Sequence, residues 1–200
     1  NNQRLFIDYK TLKKTIMGFE FNRISNASKI EGNNQSKIHR LQLDSIIETI
    51  SSKKINRITN TYNFHTVSTL DTLGRSISFD ADYLKYKYSI NNDFNINTIL
   101  PSGILKPNSE IKSNNSGNQD ISIFSVKIDF TLPLNWLELN MGGKTSILEN
   151  DNNNLFFNIS NNQYIIDYSK SNHFIYKENN NALYLSAEKN ITKKIYLQLG

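Results

Sequence analysis

The sequence predicts an all-β protein: an antiparallel, up-and-down transmembrane β-barrel wall of about eight strands in four hairpins. Three observations carry this prediction. Apolar residues recur with period two rather than 3.6. The two clearest alternating segments, 121–133 and 137–147, each oppose an apolar face to a wholly polar one. Tight and long connections take turns along the chain.

The composition agrees. Only 38% of the 200 residues are hydrophobic, yet 11% are aromatic and 31 are Asn, which is poor material for an ordinary soluble core. No run approaches the roughly 20 apolar residues of a membrane helix, so a helical span is excluded. With no Cys there is neither a disulfide framework nor thiolate chemistry. The net charge is +5, but the basic pairs Lys13-Lys14, Lys53-Lys54 and Lys193-Lys194 are dispersed. A nucleic-acid surface needs a continuous basic stripe interleaved with stacking aromatics, so no nucleic-acid partner is expected.

The strands follow in order. Leu5, Ile7 and Tyr9 open the chain. Met17, Phe19 and Phe21 then alternate with Gly18, Glu20 and Asn22, and Tyr62 and Phe64 with Thr61, Asn63 and His65. Ile77, Phe79, Ala81 and Tyr83 oppose Ser78, Asp80 and Asp82. The clearest segment sets Phe124, Val126, Ile128, Phe130 and Leu132 against Ser125, Lys127, Asp129 and Thr131. Leu137, Leu139, Met141 and Ile147 oppose Glu138, Asn140, Gly142, Lys144 and Ser146, and Ile195, Leu197 and Leu199 close the chain. Over 173–189 the facing is ambiguous, because Phe174, Tyr176, Ala182 and Tyr184 oppose Ile175, Leu183 and Leu185.

Tight turns are predicted near 11–14, 71–75, 132–135 and 190–194. Asp71 and Gly74 have the chemistry of a type I turn entering a left-handed Gly. Long polar loops are predicted at about 26–55, 90–120 and 149–172. Leu41 to Ile50 is the only helix candidate, and it lies inside the first of these. Short turns at one end and long loops at the other describe a barrel with periplasmic turns and extracellular loops. Alternation alone would also fit a soluble β-sandwich or a β-solenoid; the repeated loop asymmetry favours the barrel.

The whole chain, 1–200, is thus one barrel segment with two assigned faces. Phe19, Phe79, Phe124, Val126, Ile128, Phe130, Leu137 and Leu139 are expected toward lipid. Glu20, His65, Asp80, Asp82, Lys127, Asp129, Glu138 and Lys144 are expected toward the lumen. Trp136 and Tyr83, with Tyr86 and Tyr88, sit where interfacial aromatic girdles belong. Asp80 and Asp82 are read as a hydrated wall answered by Lys127 and Lys144. No enzyme is expected. His39, His65 and His173 have no partner at motif spacing, and the chain has no nucleophile elbow or phosphate-cradling Gly loop. No metal or cofactor is expected either; Glu149-Asn150-Asp151-Asn152 lacks the Gly and distal Glu of a calcium loop. The Asn-rich loops carrying Phe156, Tyr164 and Tyr168 are candidates for an external ligand.

Several segments also match a known family in order through the chain. They are Ile7-Asp8-Tyr9-Lys10 with Lys14-Thr15-Ile16-Met17-Gly18-Phe19; Leu70-Asp71-Thr72-Leu73-Gly74-Arg75-Ser76-Ile77-Ser78 with Asp82-Tyr83; Val126-Lys127-Ile128-Asp129-Phe130-Thr131-Leu132-Pro133-Leu134; Leu137-Glu138 with Gly142-Gly143-Lys144-Thr145-Ser146; and Asn172-His173-Phe174-Ile175-Tyr176-Lys177-Glu178-Asn179. On these the chain resembles the Bacteroidetes outer-membrane β-barrel family that belongs with the TonB-dependent receptors. The resemblance implies a larger barrel of about 22 strands around a plug, of which this chain is a wall segment without the plug. It further implies outer-membrane lipid, the receptor's own plug, the TonB energy-coupling protein and a surface lipoprotein as partners, and uptake of a nutrient as the function. A non-transporting structural or adhesive barrel and a soluble carbohydrate-binding β-domain are the alternatives.

Overall fold

A computed structural model describes residues 1–11, 14–39, 43–192 and 194–200. They form one antiparallel sheet of nine strands: β1 Asn2–Thr11, β2 Thr15–His39, β3 Leu43–Thr69, β4 Ser76–Ile99, β5 Ile111–Pro133, β6 Glu138–Ser160, β7 Gln163–Ile166, β8 Asn172–Thr192 and β9 Ile195–Leu199. Each strand pairs with its sequence neighbour in the order β1-β2-β3-β4-β5-β6-β8-β9, and the short β7 pairs with the end of β6. The eight strands of the main path are those the alternation predicts. The sheet is open: β1 and β9 end the path and do not pair with each other.

A single sheet has no second layer to cover its apolar face. Ile55 is the one buried hydrophobic side chain among the described residues, whereas Phe19, Phe64, Phe124 and Leu183 are 41%, 40%, 45% and 93% exposed. A soluble sandwich would bury these residues against a facing sheet; here they form a bare wall.

The turn chemistry explains one end of the sheet. Asp71 accepts hydrogen bonds from the amides of Leu73 and Arg75 at 2.9 and 3.1 Å, and Gly74 takes φ +89°. A left-handed residue there closes the β3–β4 hairpin at no steric cost. Between β5 and β6 the Leu134 amide donates to the Leu137 carbonyl at 2.8 Å. The turn near 11–14 and that near 190–194 fall partly on residues 12, 13 and 193, outside the described residues.

The other end differs from the sequence reading. Residues 26–39 and 43–55, 90–99 and 111–120, and 149–160 are not loops but paired strand. The helix candidate at Leu41 to Ile50 is likewise strand from residue 43, and residues 40–42 lie outside the described residues. These segments lack sustained alternation because Asn, Ser and Lys occupy both faces, and neighbour pairing rather than hydrophobic patterning holds them extended. The remaining connections are residues 100–110, the Asn161-Asn162 turn with both φ positive, and 167–171. Strands β2 to β6 therefore run 23 to 27 residues, more than twice the roughly 9 to 11 a tilted strand needs to cross a bilayer.

Candidate functional site

Partners across an antiparallel ladder point to the same side of the sheet, so the register sorts every strand residue into two faces. All eight residues predicted as lumenal fall on one of them. Asp80 pairs with His65 and Lys127, and Lys127 with Lys144. Asp82 pairs with Asn63, itself the partner of Glu20. Asp129 and Glu138 share their parity. The opposite face carries Phe19, Phe79, Phe124, Val126, Ile128, Phe130 and Leu139. Leu137 is not in a strand; it closes the β5–β6 turn just before β6.

The register also shows what the sequence alternation hid: the two faces exchange polarity part-way along the strands. On the face that carries Phe19 and Phe79, a row of Phe21, Tyr62, Tyr83, Phe124 and Ile147 runs across β2 to β6. Its rings touch, with centroids 5.0 Å apart for Phe21–Tyr62 and 6.1 Å for Tyr62–Tyr83. From this row toward the tight turns the face stays apolar for nine residues of β5, Phe124 to Leu132. Toward the other end it becomes charged at the next position: Arg23, Asn60, Lys85, Ser122, Glu149 and Lys177 form the adjoining row. The second face does the reverse. It is polar alongside the apolar band, but beyond it Tyr86, Ile121 and Tyr176, then Tyr88 and Phe174, then Ile55 and Ile90, occupy this face.

This reversal corrects the girdle. Tyr83 belongs to the rim row, whereas Tyr86 and Tyr88 lie on the opposite face. At the other rim Trp136 stands in the β5–β6 turn, 64% exposed, with the Lys189 ammonium 5.6 Å from its ring centroid. The reversal also resolves the ambiguous strand β8, whose Leu183 and Leu185 join the apolar band beside Gly143 and Met141, while Tyr176 and Phe174 face the other way.

Within the polar face, two glycines act as saddles. The Tyr184 ring lies across Gly142 and its hydroxyl donates to Asp129; a Cβ on Gly142 would sit 2.5 Å from that ring and 2.7 Å from the carboxylate. His65 crosses Gly18 in the same way toward Asp8, 3.4 Å away, and its Nδ1 is paired with Asn63 at 3.0 Å. Asp129 also receives Ser78 at 3.3 Å and Lys127 at 2.7 Å. Lys127 is thereby engaged along its own strand rather than with Asp80. Asp82 accepts from Asn63 at 2.7 Å and Ser125 at 3.5 Å. Neither bridge was predicted. The signal, a Gly on the polar face flanked by long polar side chains on both neighbours, becomes visible only with the register.

Beyond the apolar band, amides knit the overhanging ends together. Asn114, only 4% exposed, donates to Asn91 at 2.6 Å and to Asp93 at 2.7 Å. His173 pairs with Asp151 at 2.7 Å, so Glu149 to Asn152 lie in strand β6 and not in a calcium-type loop. At the tip, Asp167 accepts from the Ser169 hydroxyl at 2.6 Å and from Asn158 at 3.3 Å, with the Lys170 ammonium at 3.0 Å. These donors, Ser169 foremost and then Lys170, hold its pKa down at about 2. A depressed carboxylate stabilises the fold above its unfolded value of about 3.9, and the contribution is lost as pH falls toward the folded value. The 167–171 turn is accordingly expected to keep its order at pH 4 and to lose it between about pH 4 and 2; an NMR titration of the Asp167 carboxyl with a midpoint near 4 would refute this.

A one-layer sheet with a nine-residue apolar band, aromatic rims and tight turns at one end defines a transmembrane β-barrel wall. The model of an outer membrane protein beta-barrel family matches residues 68–200, about two thirds of the chain. The chain belongs to that family, and its place is the outer membrane. The match starts at the end of β3, so the Ile7 to Phe19 resemblance lies outside it. None of the curated proteins matches the chain.

Proposed function

We propose that this chain is the wall of a TonB-dependent receptor barrel that takes up a nutrient across the outer membrane, with its apolar face toward lipid and its polar face toward the lumen. The reversal of polarity at the Tyr62–Tyr83–Phe124 row carries this reading. Below that row the strands suit a bilayer outside and water or a plug inside. Above it β2 to β6 rise at least twelve residues further and β8 seven, with charge outward and Tyr86, Tyr88, Phe174 and Tyr176 inward. A tall, aromatic-lined mouth over a polar bore suits capture of a solute from outside. The open edges of β1 and β9 suit a wall completed by further strands, since an unpaired edge in lipid is costly.

The test is gene disruption in the source cells with uptake measured before and after collapse of the proton-motive force. Energy-dependent uptake of one nutrient class should disappear and return with the wild-type gene. Unchanged uptake with loss of surface attachment or envelope integrity would overturn transport in favour of an adhesive or structural barrel. The plug and the TonB protein are the partners this reading requires, and a surface lipoprotein is one it allows.

A further inference from the structure

We propose that the outward face of β2 to β4, immediately above the aromatic rim, binds the phosphate of an outer-leaflet glycolipid headgroup of the lipid A type. The inference rests on the membrane placement above. The first row beyond the rim places Arg23, Asn60 and Lys85 side by side on β2, β3 and β4, and the second adds Lys87 next to Ile58. The two rows lie two residues apart, about 7 Å along the strand or about 5 Å in depth at the usual tilt, within the roughly 5 to 7 Å that headgroups add on each side of the hydrocarbon core.

Three of the four donors at this depth, Arg23, Asn60 and Lys87, make no side-chain bond to another described residue. Arg23 and Lys87 are exposed, and neither has an ion-pair, hydrogen-bond or ring partner among the described residues. Asn60 makes no side-chain hydrogen bond among them either, and its amide oxygen is shielded from solvent. Lys85 is tethered to Asp120 at 3.0 Å, which pins one cation at the seam. The acids of the same two rows, Asp120, Glu149 and Asp151, lie on β5 and β6, where Glu149 is paired with Lys177 at 3.3 Å and Asp151 with His173. Charge is thus divided along the belt: three cations over β2 to β4, of which Lys85 is bonded to Asp120 and Lys87 stands opposite that same acid across the ladder, and acids over β5 and β6. A guanidinium fork, an amide and two ammonium groups above a ring-lined apolar wall match a phosphate that heads several acyl chains. An unphosphorylated sugar would leave Arg23 and Lys87 without a counter-charge, and a zwitterionic headgroup brings an ammonium group of its own that competes for its single phosphate charge.

The measurement is native mass spectrometry of the intact protein from the outer membrane, released in detergent and titrated with lipid A, enzymatically dephosphorylated lipid A, or inorganic phosphate. Wild type should retain lipid A at least tenfold more tightly than the dephosphorylated form, with no competition from millimolar inorganic phosphate. Arg23→Gln with Lys87→Gln should remove that preference, while Lys177→Gln on the acidic side should leave it intact. Equal retention of both lipids, or an unchanged double variant, would overturn the headgroup site while the barrel reading stood. Competition by inorganic phosphate would reduce it to an anion site independent of lipid. Recovery of the wild-type chain in the soluble fraction would instead overturn the membrane placement itself.

Discussion

Ile128→Arg is expected to abolish assembly of the sheet in the outer membrane. Ile128 occupies the centre of the apolar band on β5, with Val126 and Phe124 on the rim side and Phe130 and Leu132 on the turn side. An arginine at the midplane of a barrel's lipid face costs about 2 to 4 kcal/mol, falling to about 0 to 1 near the interfaces. An arginine scan at Leu132, Phe130, Ile128, Val126, Phe124 and Ser122 should therefore give a peaked profile. The greatest loss falls at Ile128, less at Leu132 and Phe124, and almost none at Ser122, one row past the rim. Arginine at Ser125, which points the other way between Asp82 and Ser146, should be tolerated, as should Lys127→Ala. The readouts are the heat-modifiable folded band in outer-membrane fractions and urea unfolding in lipid vesicles. A flat profile, or equal damage at Ser125 and Ile128, would sink the two-face assignment.

The band that makes this prediction sharp was partly legible in the sequence. From Phe124 to Leu132 every apolar residue shares a parity, because the segment lies wholly between the two rims and its environment never changes. The β8 strand was not legible for the opposite reason. It crosses the rim near Asn179, so Tyr176 and Leu183 are each on the correct face for their depth yet have opposite parity. An alternation read with one phase cancels there. Tyr86 and Tyr88 were misplaced in the girdle by the same mechanism, since they follow Tyr83 closely in sequence but lie past the reversal. The overhanging strands read as loops in the sequence because they are rich in Asn, Ser and Lys and their few apolar residues, such as Ile55 and Ile90, are too sparse to set an alternation. Their pairing depends on partners such as Asn114 with Asn91 and Asp93, which lie more than twenty positions apart. Tight turns survived the translation best, as Asp71 and Gly74 illustrate, because turn chemistry is local.

Gly142 and Gly143 are neighbours with the same side chain, and alanine is expected to separate them. Gly143 faces the apolar band, where a new Cβ would lie 3.1 Å from Leu183 Cδ2. That atom ends a 93% exposed side chain that can turn aside, so Gly143→Ala should change stability little. At Gly142 the new Cβ would meet Tyr184 at 2.5 Å and Asp129 at 2.7 Å, groups held to each other across the glycine. Displacing the ring severs two side-chain links running from β5 over β6 to β8, the Tyr184 hydroxyl to Asp129 and the Lys127 ammonium 5.9 Å from the ring centroid. Overpacking of this kind costs about 1 to 3 kcal/mol. Tyr184→Phe should be mild, about 1 kcal/mol, because the ring still fills the saddle and Asp129 keeps Lys127 and Ser78. The decisive comparison is the double variant. If the damage from Gly142→Ala arises from the crossing ring, Tyr184→Ala in the same chain should recover part of the loss, a coupling of about 0.5 to 3 kcal/mol in vesicle unfolding. Strict additivity would mean that Gly142 is needed for backbone curvature alone, and that the tyrosine bridge follows the register rather than fixing it.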